Sequence, residues 1–261
     1  MSLNVPITDW RTLRVWLIGA SSGIGAALAT ALLARGAHVA LSARRADRLA
    51  EFAAASHAHP GAVLVLPADA TDSESLAAAW AELQQHWGGC DVVFHNAGTH
   101  VPMRAWEIQA EHARDLINTN LIGAFNVLAL VVPYFHQQRR GGIALMGSVA
   151  GYRGLPTGLI YGASKAALIN VAETLYLDLA PRRVNVWLVN PGFVKTPLTE
   201  QNPFPMPALI SSERAAQEIL RGMERGQFEI HFPKRFTRLM KILRCLPDGI
   251  YFWLVHRFTG L

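Results

Sequence analysis

The sequence predicts an α/β fold: a doubly wound, mostly parallel sheet of seven strands with helices on both faces, followed by an amphipathic helical tail. Three observations predict it. Short apolar runs alternate with stretches of helical length over about the first 230 residues. A glycine-rich turn at 19–25 joins the first apolar run to the first helical stretch. Basic charge collects near the C-terminus with a helical period.

The elements follow in order. Residues 14–19 are a short apolar run entering the glycine turn. Residues 24–35 are Ala- and Leu-rich, which suits a helix, and Gly36 stops it. Residues 38–43 read as a strand, 46–55 as a helix and 62–67 as a third strand. The helix at 73–86 starts at Thr71-Asp72-Ser73-Glu74, whose side chains can cap free backbone N–H groups. Residues 91–94 make a fourth strand. A long helical stretch covers 104–138, broken or bent near Gly123 and Pro133. Then come a fifth strand at 142–147, a helix at 157–180 ended by Pro181, and a sixth strand at 184–190. A helix at 212–225 and a seventh strand at 228–232 complete the alternation. Parallel strands need crossovers that cover both sheet faces. Ligands of such sheets bind beyond the carboxyl ends of the strands, where the strand order reverses.

Hydrophobic residues make up 51% and charged residues 16%, which favours a buried core over disorder. No apolar run approaches the roughly 18 residues of a membrane span, and no basic-then-apolar leader opens the chain, so a cytoplasmic location is expected. Cys90 and Cys245 sit in no C-x-x-C pattern and read as reduced thiols. The ten histidines show no metal spacing; His57 and His59 share a solvated loop, so no metal is expected. The net charge of +5 is unevenly placed. Up to residue 230 acids and bases balance, 18 of each; the last 31 residues hold six bases and one acid. A nucleic-acid reader would carry its basic patch on the folded body with a matching motif. Neither is present, so no nucleic-acid partner is expected.

Gly19, Gly23 and Gly25, in Gly19-Ala20-Ser21-Ser22-Gly23-Ile24-Gly25, follow a strand and open a helix. That context lets the backbone turn tightly and approach a pyrophosphate, held on the helix N-terminus. The second strand runs out at Leu41-Ser42-Ala43-Arg44-Arg45. An acid there would bond the adenosine ribose hydroxyls and repel a 2′-phosphate. Arg44 and Arg45 stand there instead, and guanidinium binds phosphate. NADP(H) is therefore preferred, with NAD(H) also accommodated.

Tyr161 and Lys165, four apart on a helix, lie on one face one turn apart. A free tyrosine titrates near 10, roughly, and a neighbouring positive charge favours its phenolate. The pair can thus make a proton donor. Ser148 lies thirteen residues before Tyr161.

With these residues the chain resembles the short-chain dehydrogenase/reductase family over about residues 13–200. The resemblance rests on GASSGIG at 19–25, Asp69-Ala70, Asn96-Ala97-Gly98, Asn120, Ser148, Tyr161-x-x-x-Lys165 and Pro191-Gly192, all in the family's order. It implies a Rossmann-type fold with residues 1–233 as a dinucleotide-binding catalytic domain, and 234–261 as its extension. It implies Tyr161 as the general acid or base, with Lys165 holding the nicotinamide ribose and lowering the phenol's pKa. Ser148 would hold the substrate oxygen, and Asn120 a water linking Lys165 to solvent. Asp69 and Ala70 would meet the adenine, and Asn96 its ribose. Ala97 and Gly98 complete that motif, while Ser21, Ser22 and Ile24 belong to the phosphate turn. Pro191, Gly192 and Val194 would flank the nicotinamide, with Thr196 bonding its carboxamide or a phosphate. The family commonly has Thr where Ile18 stands and Asn where His95 stands. The hydrogen bond that Thr makes between strands 1 and 4 is expected to be replaced by apolar packing. The family also suggests a homodimer or homotetramer through the helices at 104–138 and 157–180.

Substrate contacts are expected from 100–104, 149–156 and 193–209, and from the tail. These are mostly apolar, with Pro197, Pro203, Pro205 and Pro207 in the third, which suits a hydrophobic carbonyl or alcohol. In the tail Arg235, Arg238, Lys241 and Arg244 recur every three residues. Phe236, Leu239, Met240, Leu243 and Leu246 fill much of the other side, and an aromatic segment follows at 250–255. Such a helix either packs on the body or a neighbouring subunit, or lies on an anionic membrane. The reading is an NADPH-dependent carbonyl reductase able to run as an alcohol dehydrogenase. The alternatives are a non-catalytic cofactor-binding sensor and a membrane-docked scaffold; the first usually loses the Tyr or the Lys.

Overall fold

The computed structural model describes residues 2–200, 202 and 206–259. Its strands are β1 (Arg14–Ile18), β2 (His38–Ser42), β3 (Val63–Val65), β4 (Val92–His95), β5 (Gly142–Met146), β6 (Asn185–Pro191) and β7 (Glu229–Phe232). They form one sheet in the order β3-β2-β1-β4-β5-β6-β7, and every pairing is parallel. The helices are α1 (Gly23–Leu33), α2 (Ala46–Ala55), α3 (Ser73–Trp87), α4 (Ala110–Ile117) and α5 (Gly123–Gln138), then α6 (Leu159–Leu179), α7 (Ser212–Glu224), α8 (Lys234–Arg244) and α9 (Asp248–Thr259).

Side chains of period two divide the core into two layers. Val15 and Leu17 of β1, with Val39, Leu41, Val92 and Phe94, meet α1, α2 and α7 on one face. Trp16, Ile18, Ala40 and Val93 meet α3, α5 and α6 on the other. Strands buried on both faces explain why the sequence runs there are continuously apolar. Asp72 caps α3 as expected, accepting from the N–H groups of Glu74 and Ser75.

The long helical stretch resolves into a 3-10 turn at Ala105–Glu107, α4, a π turn at Asn118–Ile122, and α5. Pro133 lies inside α5 without ending it. Pro133 and Ala129, whose carbonyl loses its donor, are both exposed, so water can satisfy that group. Ala110–Gln138 is also apolar and long enough by composition to cross a membrane, contrary to the expectation from apolar runs. Its Val127, Leu128, Val131 and Phe135 pack in the core beneath the sheet.

The tail forms two helices rather than one helix and a segment. Met240 is buried in the α3–α5–α6 layer, with Phe236 and Leu243 packed against it, whereas Leu239 is exposed. The apolar side of α8 is thus divided between body and solvent. Pro203 and Pro205 of the third substrate segment lie outside the described residues.

Candidate active site

The strand order reverses between β1 and β4, and a cleft of about 770 Å3 opens there at the carboxyl ends. Gly19 has φ +86°, and a Cβ on it would sit 2.5 Å from the Ala97 nitrogen. Only glycine fits that left-handed, crowded position. Gly25 does not line the cleft; a Cβ there would meet the Gly19 carbonyl oxygen at 2.1 Å, so it lets α1 start against the turn. The first turn of α1 carries no acid, and Ser22 makes no side-chain cap, which leaves an anion-accepting end at the cleft. Ser21, Ser22, Gly23 and Ile24 line it.

Arg44 and Arg45 are exposed at the rim beside these serines. Arg45 Nη2 donates to Ser21 Oγ at 3.0 Å and Ser22 Oγ at 3.3 Å. Asp69 lines the same end, its Oδ1 accepting from the Thr71 nitrogen and hydroxyl, both at 2.9 Å. Ala70, Ala97, Gly98, Pro191, Gly192, Val194 and Thr196 also line the cleft.

Ile18 and His95 are register partners on β1 and β4. Their polar tie is not replaced by packing alone. Asn96 supplies it: its N–H donates to the Ile18 carbonyl at 2.9 Å and its Nδ2 to the Gly19 carbonyl at 2.8 Å. Asn96 therefore holds the phosphate turn as well as lining the cleft. His95 is 1% exposed, and neither ring nitrogen bonds another described residue. Burial, aided by the Lys165 charge, lowers its pKa to about 3.

Ser148 follows β5, and Tyr161 and Lys165 lie in the first two turns of α6; all three line the cleft. Ser148 Oγ accepts from the Ala150 nitrogen at 3.1 Å, which leaves its hydroxyl hydrogen to donate. Burial pushes the Tyr161 phenol above its ordinary value, opposed by its hydrogen bond to Ser148. The expected lowering by Lys165 is not what the protein shows. Lys165 Nζ donates to the Met146 carbonyl at 2.8 Å and stands 5.7 Å from the Tyr161 ring centroid. Burial lowers Lys165 to about 8.

Asn120 sits behind the cleft, fully buried in the π turn. Its Oδ1 accepts from the Thr99 nitrogen at 2.7 Å, and its Nδ2 donates to the Thr99 carbonyl at 2.9 Å and Ser164 Oγ at 3.1 Å. The side chain is committed to these bonds, so a water-holding role would fall to its main chain.

Two features escaped sequence reasoning. The His100 ring packs 4.4 Å from the Tyr161 ring, centroid to centroid, a contact no local motif announces. Tyr152 and Arg153, just after Ser148, tie that loop to the tail. Tyr152 Oη donates to Glu229, which also accepts from Asn190 Nδ2 at 2.8 Å and from Lys241. The Arg153 guanidinium reaches the Leu243 and Leu246 carbonyls at the end of α8, pairs with Asp248, and lies 4.0 Å over the Tyr251 ring. The partners are 77 to 98 residues apart in sequence.

The family profile described as short chain dehydrogenase matches residues 14–204. The chain belongs to the short-chain dehydrogenase family. It is 34% identical over 233 residues to an oxidoreductase of Myxococcus xanthus, covering 89% of this chain and 92% of that one. It is 33% identical over 212 residues to a 3-oxoacyl-acyl-carrier-protein reductase of Thermotoga maritima, covering 81% and 82%. A short-chain dehydrogenase of Sphingobium yanoikuyae, solved with NADPH, superposes with TM-score 0.78 at 28% identity, over 90% of this chain and 97% of that one. A Burkholderia phymatum member solved with NAD, at 21% identity and TM-score 0.83 over 90% and 94%, shares the fold. Membership puts this chain among nicotinamide-dependent oxidoreductases. The uncapped α1 terminus and the glycine cradle, which a Cβ at Gly19 would fill, fit such a dinucleotide.

Proposed function

We propose that this short-chain dehydrogenase is an NADPH-dependent reductase of hydrophobic carbonyl compounds, reversible as an alcohol dehydrogenase. The observation that carries the reading is the convergence of Ser148, Tyr161 and Lys165 on the switch-point cleft, the last two one helical turn apart. Bound nicotinamide supplies the hydride. The chain's residues manage the proton and the charge. Ser148 donates to the substrate oxygen and stabilises the negative charge that grows there. Tyr161, protonated at neutral pH, gives its proton to the same oxygen. Lys165 stays mostly charged below about 8 and would hold the nicotinamide ribose hydroxyls. His100 packs its ring 4.4 Å from that of Tyr161, and Phe193 lies 5.5 Å from Phe236 in the segment after Gly192.

Arg44 and Arg45 support the phosphorylated cofactor. Neither forms a salt bridge among the described residues, and both border the end of the cleft that Ser21 and Ser22 line. The Sphingobium relative's NADPH complex and the Thermotoga relative's name, a reductase of a 3-oxoacyl carbonyl, are in keeping with this reading. The test is a panel of aliphatic and aromatic carbonyls with NADPH or NADH, read as cofactor oxidation. Arg44→Ala should raise KM for NADPH about tenfold, one charged contact to phosphate, and leave NADH little changed. Equal loss with both cofactors would remove the 2′-phosphate assignment.

A further inference from the structure

We infer that α8 and α9 dock the enzyme on an anionic phospholipid surface. The whole net charge of +5 lies in the last 31 residues, which carry six bases and one acid on an otherwise balanced body. The structure sharpens that imbalance. The one tail acid, Asp248, pairs with Arg153, and among the described residues Glu229 is the body acid that forms a salt bridge with the tail, through Lys241. Arg235, Arg238, Arg244 and Arg257 form no salt bridge among the described residues and are exposed.

Apolar side chains stand exposed beside these bases. Leu239 and Ile242 face solvent on α8, while Trp253 and Phe258, 64% and 82% exposed, do so on α9. Exposed apolar and basic residues together fit the boundary of a bilayer, where apolar groups enter the acyl region and bases meet lipid phosphates. Tryptophan is favoured at that depth. A nucleic acid would match the charge and could stack on aromatic rings, but it offers no apolar partner for the exposed aliphatic Leu239 and Ile242, one turn on from Arg235 and Arg238 on α8. A second copy of the chain would bring the same unpaired arginines face to face across a two-fold interface, an unfavourable pairing.

The tail is anchored firmly enough to orient the body. Met240 is buried in the core, Tyr251 Oη donates to the Gly154 carbonyl, and Arg153 grips the end of α8 and the start of α9. Phe236 of α8 packs on Phe193 and against Gly192, which lines the cleft. Docking therefore puts the Gly192 side of the cleft beside the lipid-bound helix.

The test is co-sedimentation of the full chain with phosphatidylcholine vesicles, with and without phosphatidylglycerol, at low and high salt. Wild type should bind only the anionic vesicles, and high salt should release it. Arg235→Glu with Arg238→Glu should weaken partitioning at least tenfold, roughly fivefold for each base removed. Trp253→Ser with Phe258→Ser should weaken it comparably at unchanged charge. Both pairs are exposed, and an unaltered melting curve verifies the fold. Absence of binding at low salt, or equal binding to pure phosphatidylcholine, would overturn the inference. So would sedimentation-velocity dimers that Trp253→Ser with Phe258→Ser dissolves while vesicles are ignored; the face would then join two copies. Vesicle binding is read without turnover, so its failure and that of the reductase reading are separate results.

Discussion

Tyr161 stands under opposing influences. Burial raises its phenol, and the Ser148 hydrogen bond offsets part of that rise. At neutral pH the group is a protonated donor, which suits reduction; oxidation needs it deprotonated and gains from alkaline conditions. His95, on β4, carries an acid liability. Its folded value of about 3 lies below the ordinary 6.5, so the unfolded chain binds more protons between those limits. Stability from this group is present above the ordinary value and is lost as pH falls, by up to about 1.4 kcal/mol per pH unit. His95→Asn should remove that loss. Between about pH 7 and about pH 5, urea unfolding of wild type should lose roughly 2 kcal/mol more than His95→Asn. Identical losses would mean that His95 does not titrate on unfolding. The motif Phe94-His95-Asn96 shows no sign of this, because burial of both ring nitrogens depends on strands far apart in the chain.

At the scale of elements, the phosphate turn was legible because glycine is itself a conformational statement: Gly19 takes φ +86°. The π turn was not. Asn118–Ile122 reads as ordinary helix, and the i→i+5 register comes from tertiary bonds between Asn120, Thr99 and Ser164. Pro133 does not end α5, since its effect depends on which helical face is wet. Asn120 acts as a splint between the segment after β4 and the start of α6. Asn120→Ala would leave the half-buried Thr99 backbone groups without their partner, at a cost of about 2–3 kcal/mol. The melting temperature should fall by about 5–10 °C. An unchanged melting temperature would show that those bonds carry no weight. Of the tail, the sequence showed the basic period of α8 but not that Arg153 and Glu229 would fasten it to the loop after Ser148.

Across the whole molecule, one parallel sheet brings residues from five separated segments to a single cleft. Gly19, Asn96, Ser148, Tyr161 and Gly192 all sit at or just beyond strand ends, apart from Tyr161 on α6. That convergence could be read from strand–helix alternation, because parallel topology places every such end on one side. The tail's clamp on the Ser148 loop links the apparatus to the least balanced part of the surface. The central claim is that the cleft is a working reductase with Tyr161 as its acid. Its most direct measurement is NADPH oxidation by wild type and Tyr161→Phe with a hydrophobic carbonyl, alongside NADPH binding by fluorescence titration. In Tyr161→Phe, kcat should fall at least about 100-fold with cofactor affinity within about threefold of wild type. Substantial turnover by Tyr161→Phe, with NADPH bound as before, would contradict it.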